Sequence, residues 1–227
     1  MRDWAKAGAP TGAVVIADTQ IHGRGRHQRP WSTPPGETLA SSVLVRPALS
    51  PQDLPKVALV AGLAARHAVA LALGDRGVAR IKWPNDVFVG DRKIAGVLVE
   101  GALSGARVEH AVVGIGINVA RKDFPPELAD VATSLSREGG VVDRVQLALD
   151  LFAALDVELA RLLADPDSLG ARLAPHDVLF GRRVLLDDGR LGVACGVAHD
   201  GRLQVDLEDG ERFLARAGEI CLAPARS

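Results

Sequence analysis

The chain has 227 residues, of which 48% are hydrophobic and 24% charged, and its formal net charge is −1. This composition excludes a disordered or fibrous protein, and the near-neutral charge gives no support for bulk binding to nucleic acid or to a membrane surface. The length exceeds the usual single domain of about 100 to 150 residues, so we expect one large domain and a small one.

Neither the beginning of the chain nor its most apolar run has the pattern of a targeting or spanning segment. Residues 1–9 lack an apolar core, and residues 57–73 are interrupted by an arginine and a histidine. We therefore expect a cytoplasmic protein without membrane contact. Cys195 and Cys221 lie far apart and lack the paired spacing of a zinc site, so we expect buried, reduced thiols and no metal held by the chain itself.

Apolar periodicity and turn signals predict a mixed set of elements before residue 175. In chain order, they are strands over 12–18 and 38–46, a helix over 50–73, strands over 78–83, 87–89, 93–100 and 109–119, and a helix over 143–163. The first helix is expected to begin at Ser50, because a capping serine followed by proline and an acidic residue is typical of a helix start, and to end at Gly74.

After Pro175 the pattern changes to short apolar segments separated by turns. Asp-Gly pairs at 188–189, 200–201 and 209–210 are spaced as in a small β-barrel. The separation of a helix-bearing part from an all-strand part predicts an α+β protein whose largely antiparallel sheet is covered by helices, with a domain boundary near 175–180.

A cationic loop follows the first predicted strand. Residues 23–31 read GRGRHQRPW, in which two glycines allow close backbone approach to a ligand and the arginines supply forked donors. This pattern favours a site for an anionic small molecule. A solvated surface loop or an RNA-binding Gly-Arg segment stays open as an alternative, although such segments usually repeat and this unit occurs once.

Three further motifs follow in order: KWPND at 82–86, RKIAGVLVE at 92–100 and GIGIN at 114–118. Proline in the first motif ends a strand, so Lys82 and Asn85 are expected to project near that strand's end. The glycine spacing in 23–31 and 114–118 does not match the dinucleotide fingerprint, and the sequence contains no Walker-type loop. Any nucleotide must then be held by side chains and irregular loops.

In their order and spacing, these four motifs resemble those of biotin protein ligases over nearly the whole chain, from about Gly12 to Leu222. The resemblance implies a class II synthetase-like biotin/lipoate ligase catalytic domain over 1–178 and an SH3-like β-barrel over 179–227. Family members open the catalytic domain with a strand and a Ser-Thr-Asn segment, and no match to these precedes Trp4. A DNA-binding helix-turn-helix is likewise unmatched, so we expect no DNA partner.

The resemblance also assigns roles to individual positions. It implies biotin contacts for Gln20, Gly23, Arg24, Gly25, Arg26, Lys82, Gly96, Val97, Gly114 and Gly116, ATP contacts for Arg29, Trp31, Asn85 and Asn118, and catalytic roles for Lys82, Arg26 and Lys93.

The implied reaction is activation of biotin by ATP to biotinyl-5′-adenylate, followed by biotin transfer to a lysine of a biotin carboxyl carrier protein, such as that of acetyl-CoA carboxylase. ATP and biotin would be substrates, with Mg²⁺ held mainly by the ATP phosphates. Open alternatives are a shortened, non-catalytic biotin- or nucleotide-binding homologue and a lipoate-type ligase. A homodimer formed through exposed edge strands also stays open.

Overall fold

A computed structural model describes residues 1–216 and 218–223. The elements in this part of the chain are α1 Arg2–Lys6, β1 Val14–Ala17, β2 Thr38–Val45, α2 Leu54–Leu73, β3 Ala79–Lys82, β4 Asp86–Val89, β5 Arg92–Ser104, β6 Arg107–Asn118, α3 Arg144–Ala164, α4 Leu169–Leu173, β7 Arg183–Leu185, β8 Leu191–Val197, β9 Leu203–Leu207, β10 Arg212–Ala215 and β11 Cys221–Leu222.

The first six strands form one antiparallel sheet in the order β1-β2-β6-β5-β4-β3. Alternation along β6 gives the sheet two different faces: Val113, Ile115 and Ile117 are buried in the main core, whereas the glycines between them face away from it. Helix α2 packs on the buried face and α3 packs on α2. This arrangement confirms the expected α+β class.

Helix α2 is long and apolar enough to cross a membrane by length and composition alone. However, 61% of its most apolar window is buried inside the protein. Residues such as Val57, Ala61, Ala64 and Ala68 are almost fully inaccessible. Its apolar character is therefore explained by burial between the sheet and α3.

The expected burial of both thiols was wrong, because Cys195 is half-buried and Cys221 is exposed. The predicted start of the first helix and the predicted ends of two paired strands were also wrong. Helix α2 begins at Leu54 with Asp53 at the cap position, because the Ser50 hydroxyl donates to the Asp53 carboxylate (2.7 Å) instead of capping the backbone. The β5–β6 hairpin extends to Ser104 and Arg107 and turns at Gly105. Backbone pairing holds residues 101–104 and 107–108 in the sheet, and their side chains do not show the apolar alternation that marks a strand in the sequence.

The C-terminal strands form a second antiparallel sheet in the order β10-β9-β8-β7-β11. All three predicted Asp-Gly turns are present, and each aspartate accepts the backbone N–H two residues later, at 3.0, 3.1 and 3.0 Å for Asp188, Asp200 and Asp209. The two sheets meet where the Val178 N–H donates to the Ile81 carbonyl (2.8 Å) and the Trp83 indole donates to the Gly201 carbonyl (3.0 Å).

Candidate small-molecule site

A cavity of about 780 Å³ lies on the face of the first sheet opposite α2. Several parts of the chain surround it: residues 1–3, the loop between β1 and β2, residues 40–42 of β2, the turn between β3 and β4, the open faces of β5 and β6, the segment 121–132, and residues 218–220 before β11. The volume falls within the range of cofactor and small-ligand pockets. The site is therefore large enough to hold two joined small molecules or one nucleotide adduct.

The floor of the cavity is a row of residues with little or no side chain. Ala40, Gly116 and Gly96 lie opposite one another on β2, β6 and β5, and Asp86 continues the row on β4. A Cβ added at Gly116 would lie 2.6 Å from the Trp31 ring. The indole thus lies directly against the backbone of β6, which only glycine permits.

Residues 23–31 close into a small hairpin over this floor. The Gly25 N–H donates to the Arg29 carbonyl (2.8 Å) and the Trp31 N–H donates to the Gly23 carbonyl (2.9 Å). At the tip, His27 and Gln28 have φ values of 53° and 59°. This left-handed backbone favours glycine, so Gln28 stands in a conformation that a side chain strains.

Gly23 lies at the base of the hairpin. A Cβ there would collide with the Trp31 carbonyl oxygen and lie 2.8 Å from the Gln20 side-chain oxygen. Since Gly23 does not itself line the cavity, its observed contribution is to let the two ends of the hairpin approach each other.

Cationic side chains reach the cavity from three segments. The Arg26 guanidinium donates to the Asn85 side-chain oxygen and to the Gly218 carbonyl, both at 3.3 Å. The Lys93 ammonium lies 2.6 Å from the Asp86 carboxylate, and Lys82 also lines the cavity. The structure therefore brings together the three residues for which catalytic roles were expected.

Both predicted asparagines donate their side-chain amides to backbone carbonyls. Asn85 donates to Val97 (2.7 Å) and Asn118 donates to Thr133 (2.9 Å). The Val97 N–H donates in return to the Asn85 carbonyl (2.8 Å), which fixes the turn after β3 against β5. Adenine recognition by these two residues stays a prediction.

Arg29 also lines the cavity, and it pairs with Glu219, which lies just before β11 of the second sheet. Its two terminal nitrogens donate to the two Glu219 oxygens at 2.7 and 2.5 Å. The hydrogen bond from Arg29 lowers the pKa of Glu219 below its ordinary value, and the Glu219 carboxylate raises the pKa of Arg29. Both groups are therefore charged at neutral pH.

The structure places the remaining predicted residues around the same space. Besides those described above, Gln20, Arg24, Gly25, Gly96, Val97 and Gly114 line the cavity. Their roles toward a ligand stay predictions.

Several residues of the site were missed by the sequence reasoning. Asp86 lay inside a recognised motif but received no role. Arg121 is buried with its guanidinium 4.7 Å from the Phe124 ring, and both line the cavity. Glu219 also lines it. Neither Arg121 nor Glu219 belongs to a recognisable motif, so only the fold could identify them.

The fold and site define a class of protein: an α+β domain with a cavity between a glycine-rich sheet and a cationic hairpin, suited in charge and size to a small anionic molecule. The family model described as "Biotin/lipoate A/B protein ligase family" matches residues 2–118. The chain belongs to this family, which confirms the resemblance noted in its motifs.

Individual relatives agree with this assignment. The bifunctional ligase/repressor BirA of Bacillus subtilis is 40% identical over 138 residues, which cover 60% of this chain and 42% of that protein. The chain thus spans less than half the length of this relative. A biotin–[acetyl-CoA-carboxylase] ligase of Mycobacterium tuberculosis is 32% identical over 216 residues, covering 92% of this chain and 78% of that protein.

A solved structure extends the comparison to the whole fold. The biotin protein ligase of Aquifex aeolicus, in complex with biotin and ATP, superposes with a TM-score of 0.82 at 27% identity and covers 99% of this chain and 94% of its own. The likeness therefore includes the second sheet as well as the first.

Proposed function

We propose that this protein activates biotin with ATP to biotinyl-5′-adenylate and then transfers biotin to a lysine of a biotin carboxyl carrier protein. The observation that carries the proposal is the convergence of Arg26, Lys82 and Lys93 on one cavity with a glycine floor. The names of the similar ligases, and the biotin and ATP of the Aquifex complex, support this choice of substrates.

The first step brings two anions together. An oxygen of the biotin carboxylate attacks the α-phosphorus of ATP, and the bond to pyrophosphate breaks. Negative charge repels negative charge at this distance, and further charge develops on the phosphoryl oxygens. Arg26, Lys82 and Lys93 would stabilise that charge from fixed positions, because the hairpin, the end of β3 and β5 already hold them around the cavity.

In the second step a neutral lysine amine of the carrier protein attacks the acyl carbon, and AMP leaves. The intermediate is a mixed anhydride that water would also attack. The hairpin over residues 23–31 covers the floor of the cavity, and Trp31 lies against Gly116 beneath it. We infer that this cover retains the adenylate and excludes water until the carrier protein arrives.

Magnesium would enter as the ATP complex and neutralise phosphate charge there. Among residues 1–216 and 218–223, no group of three or more His, Cys, Asp and Glu side chains is placed to hold a metal. The nearest cavity carboxylate to Lys93 is Asp86, and it is already paired with that lysine.

We also propose a division of the chain at residue 178, with the first part binding both substrates and residues 179–227 forming the small domain. The protein would act in the cytoplasm. Strand β1 is an outer edge of the first sheet and exposes Val14 and Ile16. Light scattering would test whether two copies pair through this edge.

Biotin-dependent pyrophosphate release from ATP and Mg²⁺ tests the first step directly. A parallel reaction with lipoate in place of biotin distinguishes a biotin ligase from a lipoate ligase. A reaction with neither biotin nor lipoate measures background ATP hydrolysis. The second step is tested by mass spectrometry, which measures whether a carrier domain gains the mass of biotin. A carrier domain whose acceptor lysine is replaced by arginine is the control. Biotin binding by calorimetry without any pyrophosphate release would instead establish a non-catalytic binding protein and refute the proposal.

A further inference from the structure

A short segment of the C-terminal part reaches the hairpin of residues 23–31. We call residues 218–220 the C-terminal clasp. Gly218 accepts a hydrogen bond from Arg26, and Glu219 accepts two from Arg29. These bonds join parts of the chain that are 192 and 190 residues apart. The hairpin is thus attached to the second sheet as well as to the first.

The clasp is itself held in place. Ile220 is 2% exposed and belongs to the main core, and β11 directly after it pairs with β7. Gly218 has a φ of 124°, and a Cβ there would lie 2.6 Å from an Asp187 carboxylate oxygen. Burial on one side of Glu219 and a glycine-only backbone on the other therefore give Arg29 a fixed partner.

We propose that Glu219 is a positioning residue for the proposed biotin adenylation, holding the hairpin closed through Arg29. The inference rests on the proposed function. Arg26 donates to the clasp with one nitrogen and to Asn85 with the other, so a hairpin released from the clasp also loses one of the two anchors of Arg26. The second sheet then contributes to retention of the intermediate without touching the reacting atoms.

The exposure of the Arg29 and Glu219 side chains determines how much the loss of this ion pair should open the hairpin. The side chains of Arg29 and Glu219 are 65% and 44% exposed, so water and salt screen their attraction. An exposed ion pair of this kind shifts the equilibrium between the closed and the open hairpin by roughly two- to fivefold. A bidentate arginine–carboxylate pair lies at the upper end of this range. We therefore expect a partial opening of the hairpin when the charge of Glu219 is removed, and the hairpin itself stays folded.

Hydrogen exchange on the full chain without substrates tests the contact independently of any activity. Glu219→Gln should accelerate exchange of the backbone N–H groups in residues 23–31 by about two- to fivefold, while Glu219→Asp should restore part of the protection. The matched control is Glu208→Gln, which removes the charge from another Arg–Glu pair in the same sheet, away from the cavity. Equal exchange in the two Gln variants would overturn the proposal.

Retention of the adenylate supplies the functional readout. Wild-type protein loaded with biotin and ATP should lose biotinyl-5′-adenylate more slowly than Glu219→Gln, by about two- to fivefold, and about 1 M salt should reduce this difference. If wild type forms the adenylate and both proteins lose it at the same rate, the proposed role of Glu219 is refuted and the proposed function is not. Absence of any adenylate in wild type refutes the proposed function, while the exchange experiment still decides the contact.

Discussion

The contact between Trp31 and Gly116 gives a prediction whose size can be worked from the structure. In Gly116→Ala, the new Cβ would lie 2.6 Å from two ring atoms of Trp31 and 2.8 Å from a third. The indole must withdraw by about 0.8 Å to reach the 3.4 Å at which such contacts become ordinary. Overpacking of this kind costs about 1 to 3 kcal/mol, so we expect the free energy of unfolding to fall by that amount.

Gly114→Ala is the matched control, because it adds the same methyl group to the same strand and face. Its Cβ would meet the Leu98 carbonyl oxygen at 3.4 Å, and neither glycine has a positive φ. We expect a change within about 1 kcal/mol for this variant. Urea unfolding of both variants measures the difference.

A second control removes the proposed cause. In a Trp31→Ala background, Gly116→Ala should lose most of its effect, because the three atoms nearest the added methyl group all belong to the indole. The reasoning is refuted if the two glycine variants are equally stable, or if the loss at Gly116 persists without the indole.

Three further outcomes are expected. Lys82→Ala should slow biotin-dependent pyrophosphate release by about one hundred- to one thousandfold, because one fixed charge beside the phosphates is lost; near-normal release would remove Lys82 from the first step. Arg26→Ala should release the adenylate faster, since Arg26 joins the hairpin to Asn85 and Gly218, and unchanged retention in a single-turnover assay would argue against a covering hairpin. Asp177→Asn should gain stability relative to wild type as the pH rises from about 4 to about 7. Burial raises the pKa of Asp177 above its ordinary 3.8, so the stability that its neutral form contributes is present below that value and is lost as the pH rises through the raised pKa. Urea unfolding at both pH values measures this, and a pH-independent difference between the two proteins would contradict it.

The motifs predicted most of the site because each is local. Gly116 lies in a strand whose backbone an indole approaches, and a glycine inside a strand is a local signal of such close approach. The ordered motifs also indicated which strands share a cavity. The start of α2 was predicted too early, since the hydroxyl of Ser50 prefers the nearby Asp53 carboxylate over the backbone.

Read without coordinates, the chain specifies its α+β class, its Asp-Gly turns and a cationic loop after its first strand. These features depend on alternation, turn chemistry and residue size within a few positions. The pairing of Arg29 with Glu219, the contact of Trp31 with Gly116 and the place of Arg121 in the wall depend on how distant segments pack. Such contacts leave no periodic signal in the sequence, because packing in three dimensions alone brings their partners together.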